Sequence, residues 1–236
     1  MPRPWTVIET AETPDGPLTL RQRGPRDFMI QHGGRVLMTS AYHRSEVALA
    51  QLGCMPIADR PRPKVLIGGA GLGYTLRAAL DALPAGASVT VAELNPVVLR
   101  WCAGPLAVLS EDALGDRRTR AVAADVMDEV GRAGRRAKDR LDAIVLDLYI
   151  GPDDTRAGAR HPLYGDAAIE SVHAALTEGG SYAVWGEEPS PSFERRLQRA
   201  GFKVTTERTR GRGPHHVIFL GRKGKARRAA PRRSRP

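Results

Sequence analysis

The stretch VLIGGAGLGYTLRAAL, residues 65–80, begins as an apolar run. It then places four glycines and one alanine in the six positions 68–73 before an apolar, helix-like tail. An apolar run that ends in bare backbone and passes directly into a helix reads as the first turn of a βαβ unit, where a doubly wound sheet opens its ligand crevice. Gly69, Gly71 and Gly73 form G-x-G-x-G, which lets a ligand lie against the backbone. The helix that follows offers free N–H groups at its start. A dinucleotide fingerprint would want its third glycine one position later, but Tyr74 stands there, so NAD and FAD are discounted.

Downstream, strands and helices alternate. VLIGG, SVTVAEL, TRAVAAD, DAIVLDLY and SYAVWGE read as strands, followed by KVTTER and HHVIFLG as an edge hairpin across TRGRGP. YTLRAALDAL, NPVVLRWCAGPLAVL, VMDEVGRAG, LYGDAAIESVHAAL and PSFERRLQRAG read as helices. Unbroken apolar strands between helices predict an α/β fold with seven strands, a parallel sheet covered on both faces. Upstream, WTVIETAE, PLTLRQR, DFMIQH and RVLMTS are short strands split by turn residues, a β-meander too thin to stand alone. SEVALAQLGCM reads as a helix capped by Ser45, with Val47, Ala50, Leu52 and Met55 as its apolar stripe. PIADRPRP is a proline-broken linker. The expected division is a meander over 1–40, a Rossmann domain over 41–220 and a disordered basic tail over 221–236.

Composition narrows the function classes. The chain has 236 residues, 42% of them hydrophobic, enough for one sizeable core. No apolar window is long enough to span a bilayer, and MPRPWTVIETAE lacks the pattern of a signal peptide. Cys54 and Cys102 are too few for a disulfide framework and read as buried packing, so the expected setting is reducing and cytoplasmic. The net charge of +10 is a property of the tail. GRKGKARRAAPRRSRP holds eight Lys or Arg and no acid, leaving 28 basic against 26 acidic residues elsewhere. Contact with nucleic acid through the tail is weighed against a merely solubilising role, and the solubilising role is preferred.

Strand ends supply the chemistry. Glu93 closes the second strand of the unit, twenty residues beyond Gly73, near the spacing at which an acid accepts hydrogen bonds from ribose hydroxyls. Asp125 closes the third strand, where it can accept from an adenine amine or cap the next helix. Glycines, Glu and Asp at successive strand ends describe an adenosine pocket of the S-adenosylmethionine type, and with it a methyltransferase-type Rossmann sheet. Asp147 and Tyr149 end the fourth strand, facing the reactive group of such a ligand. An alkyl ammonium acceptor needs about 4.6 kcal/mol to free its lone pair at pH 7, and a carboxylate helps by holding the nitrogen and taking the proton. Asp142 reads as a strand-start residue, and Asp153 and Asp154 as loop surface. Glu187 and Tyr164 are further candidates, for the acceptor pocket and a lid. His215 and His216 point to opposite faces and make a poor metal pair, so no metal is expected.

GGAGLGYTLRAAL, VAELNP, the Asp125 strand end and DAIVLDLYIGP, in this order, resemble the spermidine synthase-like family of polyamine aminopropyltransferases. The resemblance covers about residues 34–220 and, more loosely, the N-terminal strands. It implies an N-terminal β-domain on a Rossmann domain, an amine substrate, and S-adenosylmethionine or its decarboxylated form as cofactor. By analogy it implies a homodimer through the β-domain. HRSEVALAQL resembles the family's Tyr-His-Glu helix, with Glu46 at the acid position as a substrate-binding candidate and Ser45 where His would stand. Two departures matter. The family typically reads G-G-G-D-G-G, its Asp gripping the amine of the decarboxylated cofactor, whereas this loop has no acid. The family also carries Asp-x-x-Asp-Pro, and here only the first acid, Asp147, is present.

The missing loop acid removes a repulsion against the carboxylate of intact S-adenosylmethionine and favours that form. Three readings stand: a transferase moving an aminopropyl or related group to an amine, a methyltransferase on a small molecule or peptide, and a non-catalytic nucleic-acid-associated protein.

Overall fold

A computed structural model describes residues 3–152, 158–209 and 215–224. Asp153 and Asp154, the centre of the TRGRGP turn and the basic tail from residue 225 lie outside the described residues. β1 (Thr6–Ala11), β2 (Leu18–Gly24), β3 (Asp27–His32) and β4 (Arg35–Thr39) form an antiparallel sheet in the order β1-β2-β3-β4. The alternation of these strands sends Leu18, Leu20, Phe28 and Ile30 to one face, where all four are buried in a core shared with the rest of the chain. Glu9 on β1 accepts a hydrogen bond from Trp101 Nε1 at 2.7 Å and pairs with Arg100, which ties the sheet to the following unit.

α1 (Arg44–Cys54) bridges the two sheets. Two expectations for it are corrected. Its buried residues are Ser45, Leu49, Ala50, Gly53 and Cys54, while Val47 and Leu52 are only half-buried and Met55 is 66% exposed. His43 rather than Ser45 occupies the cap position, and Ser45 turns inward. The inward face is the one with small residues, because α1 lies close on the sheet: a side chain at Gly53 would approach Ala183 and Val145 to 3.0 Å.

The second sheet contains β5 (Lys64–Gly68), β6 (Ser88–Glu93), β7 (Thr119–Ala123), β8 (Leu141–Leu146), β9 (Leu176–Gly186), β10 (Phe202–Arg208) and β11 (Val217–Lys223). Their spatial order is β10-β11-β9-β8-β5-β6-β7, with β5 to β9 parallel and β11 antiparallel to both neighbours. This is the expected doubly wound α/β sheet, and β11 runs on to Lys223, past the boundary expected at 220. α2 (Tyr74–Ala82), α3 (Pro96–Ala103), α4 (Ala107–Ser110), α5 (Val126–Gly134), α6 (Asp166–Ala175) and α7 (Pro191–Arg199) complete the layers.

Strand residues alternate between two cores. Val65, Ile67, Ala143 and Val145 face α1, α2 and the N-terminal sheet, while Leu66, Ile144 and Leu146 face α5, α6 and α7. The segment expected as one helix over 95–109 is two, α3 and α4, because Gly104 leaves helical geometry and Pro105 cannot donate to the turn before it.

Asp142, read as a strand-start residue, ties the lower ends of three strands. It is 8% exposed and accepts from Lys64 N at 2.8 Å, from Thr177 Oγ1 at 2.9 Å and from Arg60. Asp142→Ala leaves those donors without their acceptor. The expected loss is about 3 kcal/mol, read in thermal unfolding as a fall of roughly 6–12 °C.

Candidate active site

The sheet reverses its winding between β5 and β8, and the site opens at the carboxyl ends of these strands. Gly68 O accepts from Asp147 N at 2.9 Å, and Gly69 N donates to Ala92 O at 2.9 Å, so the ends of β5, β6 and β8 are held together. Gly69, Gly71 and Gly73 all have positive φ, at 88°, 50° and 86°. At Gly69 this is obligatory on two counts, since a Cβ there would collide with the Asp147 carbonyl oxygen.

Beside this bare backbone lies a cavity of about 500 Å³. Glu93, Asp125 and Asp147 line it from the strand ends, and Leu37 and Met38 line it from the N-terminal sheet. Gly69 and Gly71 lie on its wall, whereas Gly73 is the turn residue that starts α2. Glu93, 9% exposed, accepts from Ala70 N and Asn95 N, both at 2.9 Å, one on each carboxylate oxygen. Its position is thereby set by the glycine loop and the start of α3 together. Asp125 caps α5, accepting from Met127 N at 2.8 Å, and also lines the cavity. The two roles weighed for it are compatible.

Asp147 stands on the wall between this cavity and a smaller one of about 70 Å³, which Glu46, Tyr74, Tyr149 and Trp185 also line. Thr75, in the first turn of α2, donates to Asp147. Burial raises the Asp147 pKa to about 7, the Glu46 charge adds to the rise, and the Thr75 hydrogen bond opposes it. Burial likewise raises that of the Tyr74 hydroxyl, whose ring stacks on His43 at 4.1 Å. Tyr149 is 54% exposed and borders both cavities.

Two expected site residues are elsewhere. Tyr164 is buried behind the loop that follows β8, donating to Ile150 O at 2.8 Å and packing edge-on to Phe193, and it lines neither cavity. Its hydroxyl is used on the backbone, so it supports the loop instead of covering the site. Glu187 is exposed and outside both cavities, although its charge acts on His216. Thr75 and Tyr74 went unread as site residues, since a threonine or tyrosine in a first helical turn has many ordinary uses. Among the described residues no group of three or more His, Cys, Asp or Glu is placed to hold a metal. Cys54 and Cys102 are buried free thiols, each pushed up to about 12 by burial. No described helix is long and apolar enough to cross a membrane.

No protein-family model and no curated protein sequence matches the chain. Solved structures do. Spermidine synthase from Thermotoga maritima superposes with a TM-score of 0.71 at 19% identity, over 92% of this chain and 73% of that one. A spermidine synthase in complex with the transition-state analogue AdoDATO gives a TM-score of 0.70 at 19% identity, over 92% and 72%. The fold is spermidine synthase-like, a Rossmann-type sheet carrying an N-terminal antiparallel sheet.

The raised pKa of Asp147 has a consequence for stability. The folded protein holds a proton that the unfolded chain releases near pH 4, so stability falls as pH rises from about 4 to about 7. Asp147→Asn keeps an acceptor for Thr75 and removes the buried charge. It should raise the melting temperature at pH 8 by roughly 8–16 °C and leave it nearly unchanged at pH 4, as calorimetry at the two pH values would show.

Proposed function

We propose that the chain is a transferase that moves an alkyl group, aminopropyl or a related one, from an S-adenosylmethionine-type cofactor to an amine acceptor. The observation that carries this reading is the place of Asp147, on the wall common to a cavity of cofactor size and a small cavity lined by a second acid and three aromatic residues. The likeness to spermidine synthases, one of them in complex with AdoDATO, supports it.

The residues fit such a cofactor. Gly69 and Gly71 leave the backbone bare on the cavity wall, where a Cβ at Gly69 would strike backbone and one at Gly71 would come to 3.4 Å from Met38 Sδ. Glu93 is set to accept from ribose hydroxyls, and Asp125 from an exocyclic adenine amine. The bound cofactor supplies an electrophilic carbon next to a sulfonium. Tyr74, Tyr149 and Trp185 place aromatic side chains on the wall for a cationic acceptor, and Glu46 offers a second negative charge. Asp147 holds the acceptor nitrogen and takes its proton, for which a pKa near 7 is well matched at neutral pH. Tyr149 shares the positioning through its hydroxyl. A cytoplasmic setting and a homodimer through the N-terminal sheet, where Val7, Ile8 and Val36 are exposed, belong to the same proposal.

The form of the cofactor turns on charge. Among the described residues, the large cavity is lined by Asp15, Glu93, Asp125 and Asp147 and by no Lys or Arg, which favours a cofactor without a carboxylate. The acid-free loop favours the intact form and sustains the second reading, a methyltransferase. Mass spectrometry of the nucleoside product separates them. Purified protein is given intact or decarboxylated S-adenosylmethionine with a panel of di- and polyamines. Methylthioadenosine is the expected product, and S-adenosylhomocysteine from the intact cofactor would replace this reading with methyl transfer. No nucleoside product from either cofactor would overturn both.

In the productive assay kcat/KM should fall as pH drops below about 7, because Asp147 must be charged to accept the proton. Asp147→Asn should lower kcat by about 10²–10⁴-fold and abolish that limb of the profile.

A further inference from the structure

α1 and the segment that enters β11 meet beside the small cavity. Ser45, 6% exposed, donates its hydroxyl to Glu46 Oε2 at 2.6 Å, and its Oγ lies 3.0 Å from Nδ1 of His216. Serine has a single hydroxyl proton, and here it is committed to the carboxylate. The hydrogen between Ser45 and His216 therefore belongs to the imidazole, which is the Nδ1–H form and donates. The ring is itself held. It lies 4.8 Å from that of Trp185, His216 N donates to Thr209 Oγ1 at 2.8 Å, and Thr209 N donates to His216 O at 2.9 Å.

We infer that His216 is a positioning residue for the acid pair: donating through Ser45, it holds the Glu46 carboxylate at the wall of the cavity that Glu46 shares with Asp147. The inference rests on the reading of Asp147 as the group that receives the acceptor nitrogen. The charged and titratable groups around the pair come from every side. Tyr74 and Thr75 face it from α2, with Arg26 acting on Tyr74 from the β2–β3 turn. Asp147 and Tyr149 come from the end of β8, Glu187 from the end of β9, and His215 and His216 from the approach to β11. Among these groups His216 is joined to Glu46 through one hydroxyl. Without that link the carboxylate is free to turn toward solvent, and its repulsion of Asp147 weakens.

The test reads Asp147 itself, in the ligand-free full-length protein, by ¹³C NMR of labelled aspartate carboxyls, with Asp147→Asn to assign the signal. The wild-type midpoint is expected near 7. Glu46→Gln should lower it by about one unit or more, and His216→Phe should lower it in the same direction by about half a unit. His216→Asn, whose side-chain N–H can take the place of Nδ1–H, should restore it, which loss of packing alone would not allow. If Phe at 216 disturbs the fold, Ser45→Ala breaks the same link from the other side and must lower the midpoint too. Midpoints at the wild-type value in both His216→Phe and Ser45→Ala, with Glu46→Gln still lowered, would overturn the role of His216 and leave the acid pair standing. An unmoved midpoint in Glu46→Gln would overturn the pair as well. The expected shifts without alkyl transfer in the product assay would instead overturn the proposed function and leave the positioning role in place.

Discussion

Where β5 stops, Gly69 passes so close to the carbonyl of Asp147 that no side chain fits between them, and hydrogen bonds from Asp147 N and Gly69 N pin the two strand ends to each other and to β6. Everything at the site inherits its placement from this contact. It puts Asp147 at the mouth of the crevice. It turns the loop under Glu93, which then accepts from Ala70 N. It also releases the chain into α2 at the point where Thr75 reaches Asp147. A sheet whose central strands are buried on both faces has little freedom to shift in register, so these placements are rigid.

Acids placed this way repel one another, and the structure treats them unequally. Glu93 is solvated by two backbone N–H groups, a substitute for water that keeps a buried carboxylate tolerable. Asp125 is satisfied by capping α5. Among the described residues Asp147 receives the Thr75 hydroxyl alone and faces Glu46, and it is the acid whose pKa rises to about 7. This unequal support sets Asp147 apart from the other two acids, and in the proposed function it is the one that exchanges a proton.

Much of this was legible in the sequence, and for a physical reason. Parallel strands covered on both faces must be continuous apolar runs, so the ends of VLIGG, SVTVAEL and DAIVLDLY were visible, and with them Glu93 and Asp147; Asp125 follows the exposed edge strand β7 and was visible from the strand–helix alternation. Residues whose role is decided by distant packing were not. Tyr164 carries a polar tip suited to a site, yet its hydroxyl meets Ile150 O and its ring the edge of Phe193, contacts no local pattern announces. Ser45 has the chemistry of a cap but faces inward, to a histidine 171 positions away. The split between α3 and α4 was marked by Gly104 and Pro105, a signal outweighed in the reading by the apolar periodicity around it.

β11 follows β10 in the chain but lies between β10 and β9. Among the described strands β10 pairs with β11 alone, so it joins the sheet only through β11, and until β11 docks the β9 edge, with Ala183, Val184 and Trp185, is an open template for another chain. That docking step also carries His216 to Ser45 across most of the chain length. Pairings of such long sequence separation form late and slowly. The polar chain behind Glu46 is thus completed by the same event that docks β11, and a molecule folded well enough to present it has already covered the β9 edge.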